Sequence, residues 1–85
     1  MAAYKILIKK SVYGDLDAIP KNDLQRIMDR IAALAENPRP QGCEKLAGQE
    51  WYRIRQGHYR IVYSIQDKEL VVFVVKVGHR KDVYR

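Results

Sequence analysis

The densest run of side chains able to do chemistry is Trp51-Tyr52-Arg53-Ile54-Arg55-Gln56-Gly57-His58-Tyr59-Arg60-Ile61-Val62-Tyr63. Period-two alternation puts Arg53 and Arg55 on one face of a strand. A two-residue turn at Gln56-Gly57 would then set Arg53 against Arg60, and Arg55 against His58, on the returning strand. Guanidiniums directly across a ladder repel by on the order of a few tenths of a kcal/mol, and the run contains no carboxylate to relieve them. The pattern points to an anionic ligand as the missing partner. Phosphate suits it, because the planar fork of arginine donates two parallel hydrogen bonds and does not lose its charge.

A second basic run closes the sequence: Lys76-Val77-Gly78-His79-Arg80-Lys81-Asp82-Val83-Tyr84-Arg85. Gly78 is expected to break its strand and aim His79 and Arg80 away from the ladder. Beside them Tyr84 is a candidate for base stacking or proton transfer, and Lys81 and Arg85 extend the basic surface. Residues 1–50 hold eight basic and seven acidic side chains, whereas residues 51–85 hold eight and three, so the net charge of +6 is concentrated in the C-terminal part. Such a surface faces polyanions. His58 reads as an ordinary surface side chain. His58, His79 and Cys43 lie at no metal-ligand spacing, and the five glycines form no phosphate-cradling loop; neither metal nor cofactor is expected.

These residues must be held by a small scaffold. A chain of 85 residues, 47% of them apolar, makes one domain spanning residues 1–85, with a site in a surface groove instead of a deep cavity. The single Cys43 forms no internal disulfide, and no apolar run approaches a membrane span; a reducing, cytoplasmic setting is expected. Tyr4 to Lys9 reads as a strand, and Ser11 as the N-cap of a short helix that carries Val12, Leu16 and Ile19 up to Pro20. From Lys21 to Glu36, apolar residues recur every three or four positions as one stripe of a helix, which Asn37-Pro38-Arg39-Pro40 then stops. Trp51–Gln56, His58–Ile65 and Glu69–Val77 read as three strands, the last central in the sheet because Leu70–Val75 is apolar without alternation. The fold expected is α+β: two N-terminal helices packed on one face of a small, mainly antiparallel four-stranded sheet, the opposite face open.

The Tyr-Arg-Ile-Val-Tyr of residues 59–63, the Val-Val-Phe-Val-Val of residues 71–75 and the closing Val-Gly-His-Arg…Val-Tyr together resemble the RelE family of bacterial and archaeal toxins, and the likeness spans nearly the whole chain. The resemblance implies a RelE/ParE-like fold and a toxin of a toxin-antitoxin pair that enters the ribosomal A site and cuts messenger RNA there. It further implies a metal-independent endoribonuclease in which the ribose 2′-hydroxyl attacks the neighbouring phosphate, and a RelB-like antitoxin that occludes or distorts the site. Carried over by motif, the site comprises Arg53 and Arg55, Arg60, Arg80 and Tyr84.

Arg60 and Arg80 are then the cations facing the charge that builds on the phosphate oxygens. Some members of the family carry lysines where this chain has Arg53 and Arg55, and guanidinium is no proton acceptor. General-base duty falls to Tyr84 or His79, or positioning of the 2′-hydroxyl supplies most of the rate; His79 could instead protonate the leaving oxygen. Two other readings keep the same surface: a ParE-like toxin that inhibits DNA gyrase by protein contact, and a non-catalytic binder of RNA or the ribosome.

Overall fold

A computed structural model describes residues 3–46 and 51–79. The elements run β1 (Lys5–Ile8), α1 (Lys10–Asp17), α2 (Lys21–Ala33), β2 (Glu44–Lys45), β3 (Trp51–Gln56), β4 (Tyr59–Gln66) and β5 (Val71–His79). The sheet has five strands in the order β1-β5-β4-β3-β2, with β1 parallel to β5 and every other pair antiparallel. The expectation of four strands missed β2, whose two residues are too few to show alternation. Strand β5 does lie inside the sheet, between β1 and β4.

Helix α1 starts earlier than expected. Its N-cap is Lys9, with no side-chain capping bond, and Ser11 lies within the first turn instead of capping it. The cause is the strand before it: the Lys9 amide donates to the Val74 carbonyl at 2.9 Å, so the chain leaves the β1–β5 ladder at Lys9 and turns at once into helix. Helix α2 carries Ile27 and Ile31 into the core. It tightens after Ala33 into bonds from Leu34, Ala35 and Glu36 to the carbonyls three residues back, a common way for a helix to end.

Val12, Leu16 and Ile19 around α1, Ile27, Ile31 and Leu34 from α2 and its last turn, and Tyr52, Ile54, Ile61, Tyr63, Ile65, Val72, Val74 and Val77 from the sheet form one buried cluster. Cross-strand partners share a face, and the register pairs Tyr52 with Tyr63, Ile54 with Ile61 and Ile61 with Val77, so the buried strand residues occupy one side of the sheet. On the other side Leu7 is 41% exposed, while Trp51, Val62, Phe73 and Val75 are half-buried.

Where β1 ends, β5 continues. β1 pairs only with Val71 to Val74, and the open edge beyond is met by Asp15 of α1, which accepts from the Val77 amide at 3.4 Å and from Lys76 Nζ at 3.2 Å. An unpaired edge invites foreign strands, and a carboxylate set against it satisfies the amide and blunts that risk.

The connection after α2 is fixed by polar contacts. The hydroxyl of buried Tyr63 donates to the Pro38 carbonyl at 2.7 Å, and burial holds that phenol far above the ordinary tyrosine range. Arg39 lies over the Tyr52 ring at 5.2 Å and donates to both oxygens of Asp67, at 3.2 and 2.9 Å. Asp67 also accepts from the Tyr4 hydroxyl at 2.7 Å. One carboxylate thereby joins the chain before β1, the loop after α2 and the β4–β5 turn. Its pKa is lowered from 3.8 to about 2, first by the Arg39 hydrogen bonds and then by that of Tyr4.

A carboxylate with a depressed folded pKa contributes stability that is present above its unfolded value and lost as pH falls through the folded one. Asp67→Asn should therefore lower the melting temperature at neutral pH, and the gap from the parent should close as pH drops from 3.8 towards about 2. Thermal melts followed by circular dichroism across that range would show no gap, or one that does not change with pH, if the ionised clamp contributes nothing.

Candidate functional site

The site is organised by the turn between β3 and β4. Gly57 has φ +62°, His58 follows it, and Gln56 pairs with Tyr59 across the turn. Positive φ at the first turn residue alone is the arrangement of a type II′ hairpin, open to glycine without strain. The turn is thus Gly57-His58, one residue later than the sequence suggested, and the facing pairs change. Arg55 stands across from Arg60 and Arg53 across from Val62, so Arg53 does not oppose Arg60 and His58 does not oppose Arg55.

The two arginines that stand opposite across the ladder sit in different environments. Arg60 is only 8% exposed, the one buried charged residue among those described. Arg55 is exposed, and among the described residues its guanidinium makes no hydrogen bond or ion pair. Its carbonyl accepts from Arg30 Nη2 of α2 at 3.4 Å. A cation held out of water attracts an arriving anion more strongly than one in bulk solvent, so the pair offers a desolvated anchor beside a solvated one.

Arg53 is already engaged. Glu44 of β2 faces it in register and accepts from its Nε at 2.9 Å. That bond, then the Arg53 charge and that of Arg55, hold the Glu44 carboxyl below its ordinary value. The hairpin itself has no carboxylate, as its sequence says; the neutralising group comes from the short strand beside it. Glu44 was not legible as a site residue because β2 gives no periodic signal.

Gly78 does not break β5. It has no positive φ and pairs with Arg60 within the ladder. His79 remains in the ladder across from Tyr59. Since successive residues alternate, His79 and Tyr59 lie on the side of the sheet opposite Arg55 and Arg60. There they line a groove of about 300 Å³ with Gly14, Asp15, Ala18 and Lys76. The fold therefore brings Arg53, Arg55 and Arg60 together and sets His79 apart. Arg80, Lys81, Tyr84 and Arg85 lie outside the described residues. Among the described residues no three of His, Cys, Asp and Glu could hold a metal ion, and no helix is long and apolar enough to cross a membrane.

The sequence model of the family described as ParE toxin of type II toxin-antitoxin system, parDE, matches residues 6–84. The chain belongs to the RelE/ParE superfamily of type II toxins. Toxin RelG of Mycobacterium tuberculosis is 29% identical over 86 residues, covering 96% of this chain and 97% of that one. The mRNA interferase toxin RelE of Escherichia coli K12 is 35% identical over 60 residues, covering 67% and 62%. The crystal structure of the archaeal RelE-RelB complex from Pyrococcus horikoshii OT3 superposes with a TM-score of 0.84 at 30% identity, over 95% of this chain and 99% of that one. The five-stranded mixed sheet with two helices is thus the fold of this toxin superfamily.

The different engagement of the two β3 arginines has a measurable consequence. Each phosphate contact to a flexible polyanion contributes about 0.7 to the slope of log affinity against log salt. Arg55→Ala should flatten the salt dependence of binding to a short polyphosphate by about that amount, and Arg53→Ala by clearly less. Equal slopes for the two variants would mean that Glu44 does not occupy Arg53.

Proposed function

We propose that this toxin is a metal-independent endoribonuclease that cuts messenger RNA in the ribosomal A site and so halts translation. The observation that carries the reading is Arg55 set directly across from the buried Arg60, on the sheet face that also holds Arg53. The naming of the E. coli relative as an mRNA interferase supports it.

In this reading a phosphodiester sits over the β3–β4 ladder with its non-bridging oxygens on Arg55 and Arg60. The ribose 2′-oxygen attacks the adjacent phosphorus, the bond to the 5′-oxygen breaks, and the products are a cyclic phosphate and a 5′-hydroxyl. The 2′-hydroxyl proton leaves to an acceptor and the 5′-oxygen gains one. Charge accumulates on the phosphate oxygens on the way, and guanidiniums fixed by strand register meet it without reorganising. Arg80 and Tyr84, assigned by their match to the family motif, complete the reading as a further cation and the proton acceptor or stacking ring. With His79 on the other side of the sheet, Tyr84 takes the proton-transfer role.

The partner follows from the superfamily. The P. horikoshii and M. tuberculosis neighbours are RelE-RelB and RelBE2 toxin-antitoxin complexes, and a RelB-like antitoxin that covers the basic face would compete with RNA. Site of action is the cytoplasm, where ribosomes translate. A second reading, inhibition of DNA gyrase by protein contact, is favoured by the ParE description of the matching family.

A translation extract dosed with the parent and with Arg60→Ala, with message ends mapped by primer extension, separates the readings. The parent should produce cuts on translated message only, and Arg60→Ala should lose about 100- to 1,000-fold in cutting rate, the usual loss on removing one donor to a developing oxyanion. Ribosome binding should fall far less. Intact message together with blocked DNA supercoiling would turn the assignment to gyrase, and equal losses of binding and cutting would make the protein a binder.

A further inference from the structure

Two histidines from distant parts of the sequence meet at the end of the sheet. His58, at the tip of the β3–β4 hairpin, is exposed, and His79, at the end of β5, is half-buried. Their rings are 6.0 Å apart between centroids and inclined by only 18°. Tyr59 abuts His79 edge-on at 5.8 Å and 78°, and Tyr59 is itself packed against the hydrophobic core. The His79 ring is therefore braced from the protein side, while His58 is exposed at the tip.

Resting on the ribonuclease reading, we infer that the His58–His79 pair is a stacking platform for the nucleobase next to the phosphate held by Arg55 and Arg60, and so helps decide which codon is cut. An exposed ring pair of this kind buries little apolar surface, so packing gives a weak reason for it. A II′ turn takes glycine first and tolerates many residues second, so a ring at position 58 is not required by the backbone. The centroid spacing is within the 4.5–7 Å range of aromatic pairs, and every nucleobase has a flat face to continue such a stack.

Location supports the same conclusion. His58 is two residues from Arg60 along β4, about 7 Å of strand, so a single nucleotide can place its phosphate on the arginines and its base over the hairpin tip.

The test uses the full-length toxin with two variants, His58→Ala and His58→Phe. Binding of a short 2′-O-methyl RNA carrying 2-aminopurine reports stacking directly through fluorescence quenching and cannot be cut. His58→Ala should weaken binding by about 5- to 100-fold, relieve the quenching and redistribute primer-extension cuts among codons; His58→Phe should restore binding and quenching. If the parent cuts message and His58→Ala changes neither quenching, affinity nor the choice of codon, the platform is refuted while the ribonuclease reading stands. If the parent quenches the probe through His58 but cuts no message, the platform stands and the ribonuclease reading falls. A change confined to antitoxin affinity also refutes the platform.

Discussion

Arg53, Arg55 and Arg60 take their direction from the register of the β3–β4 ladder, and that register is held from the opposite side of the sheet. Slipping β4 by a single residue would carry Ile61, Tyr63 and Ile65 out of the cluster in which they are buried, and slipping β3 would do the same to Tyr52 and Ile54. Each such side chain contributes roughly 1.5–3 kcal/mol by leaving water. The repulsion between Arg55 and Arg60 costs on the order of a few tenths of a kcal/mol. Apolar burial against the helices thus outweighs the electrostatic cost by an order of magnitude, and the arginines stay opposed whether or not an anion is present. A preorganised cation pair of this kind needs no rearrangement when charge develops on a bound phosphate.

The carboxylates in contact with the sheet serve its edges and ends. Asp15 answers the amide and lysine of β5 beyond the end of β1, Asp67 joins three segments at the turn after β4, and Glu44 ties β2 to β3 through Arg53. Of these, only Glu44 approaches the basic face, and it takes the arginine farther from the hairpin tip. Acid–base pairs thus secure the periphery of the sheet.

Alternation and helical periodicity made the long elements readable, and Arg53, Arg55 and Arg60 were singled out from spacing alone. What could not be read was the phase of the hairpin. Gln56-Gly57 and Gly57-His58 are both acceptable two-residue turns, distinguished by whether glycine stands second or first, and the choice depends on which pairing buries the tyrosines and isoleucines together. The same limit hid β2 and with it Glu44, since two residues carry no period. Ser11 was read as a cap because its side chain suits one, but a ladder bond at Lys9 started the helix sooner. Gly78 was read as a strand breaker, whereas it stays in the ladder across from Arg60.

Membership in a superfamily whose members differ in target leaves the chemistry to be argued from the site. A surface that only docks another protein can use exposed arginines, which keep their hydration until the partner arrives and still steer association. Burying Arg60 to 8% exposure gives up that hydration in advance and adds little to docking a broad protein face. A small anion that can approach within hydrogen-bond distance gains from it, because attraction at such range strengthens as water is excluded. A phosphodiester answers that description, and a single-stranded chain can bend it into the ladder while its base turns outward to the rings at the hairpin tip. The depth of Arg60 accordingly suits a small anion better than a broad protein face.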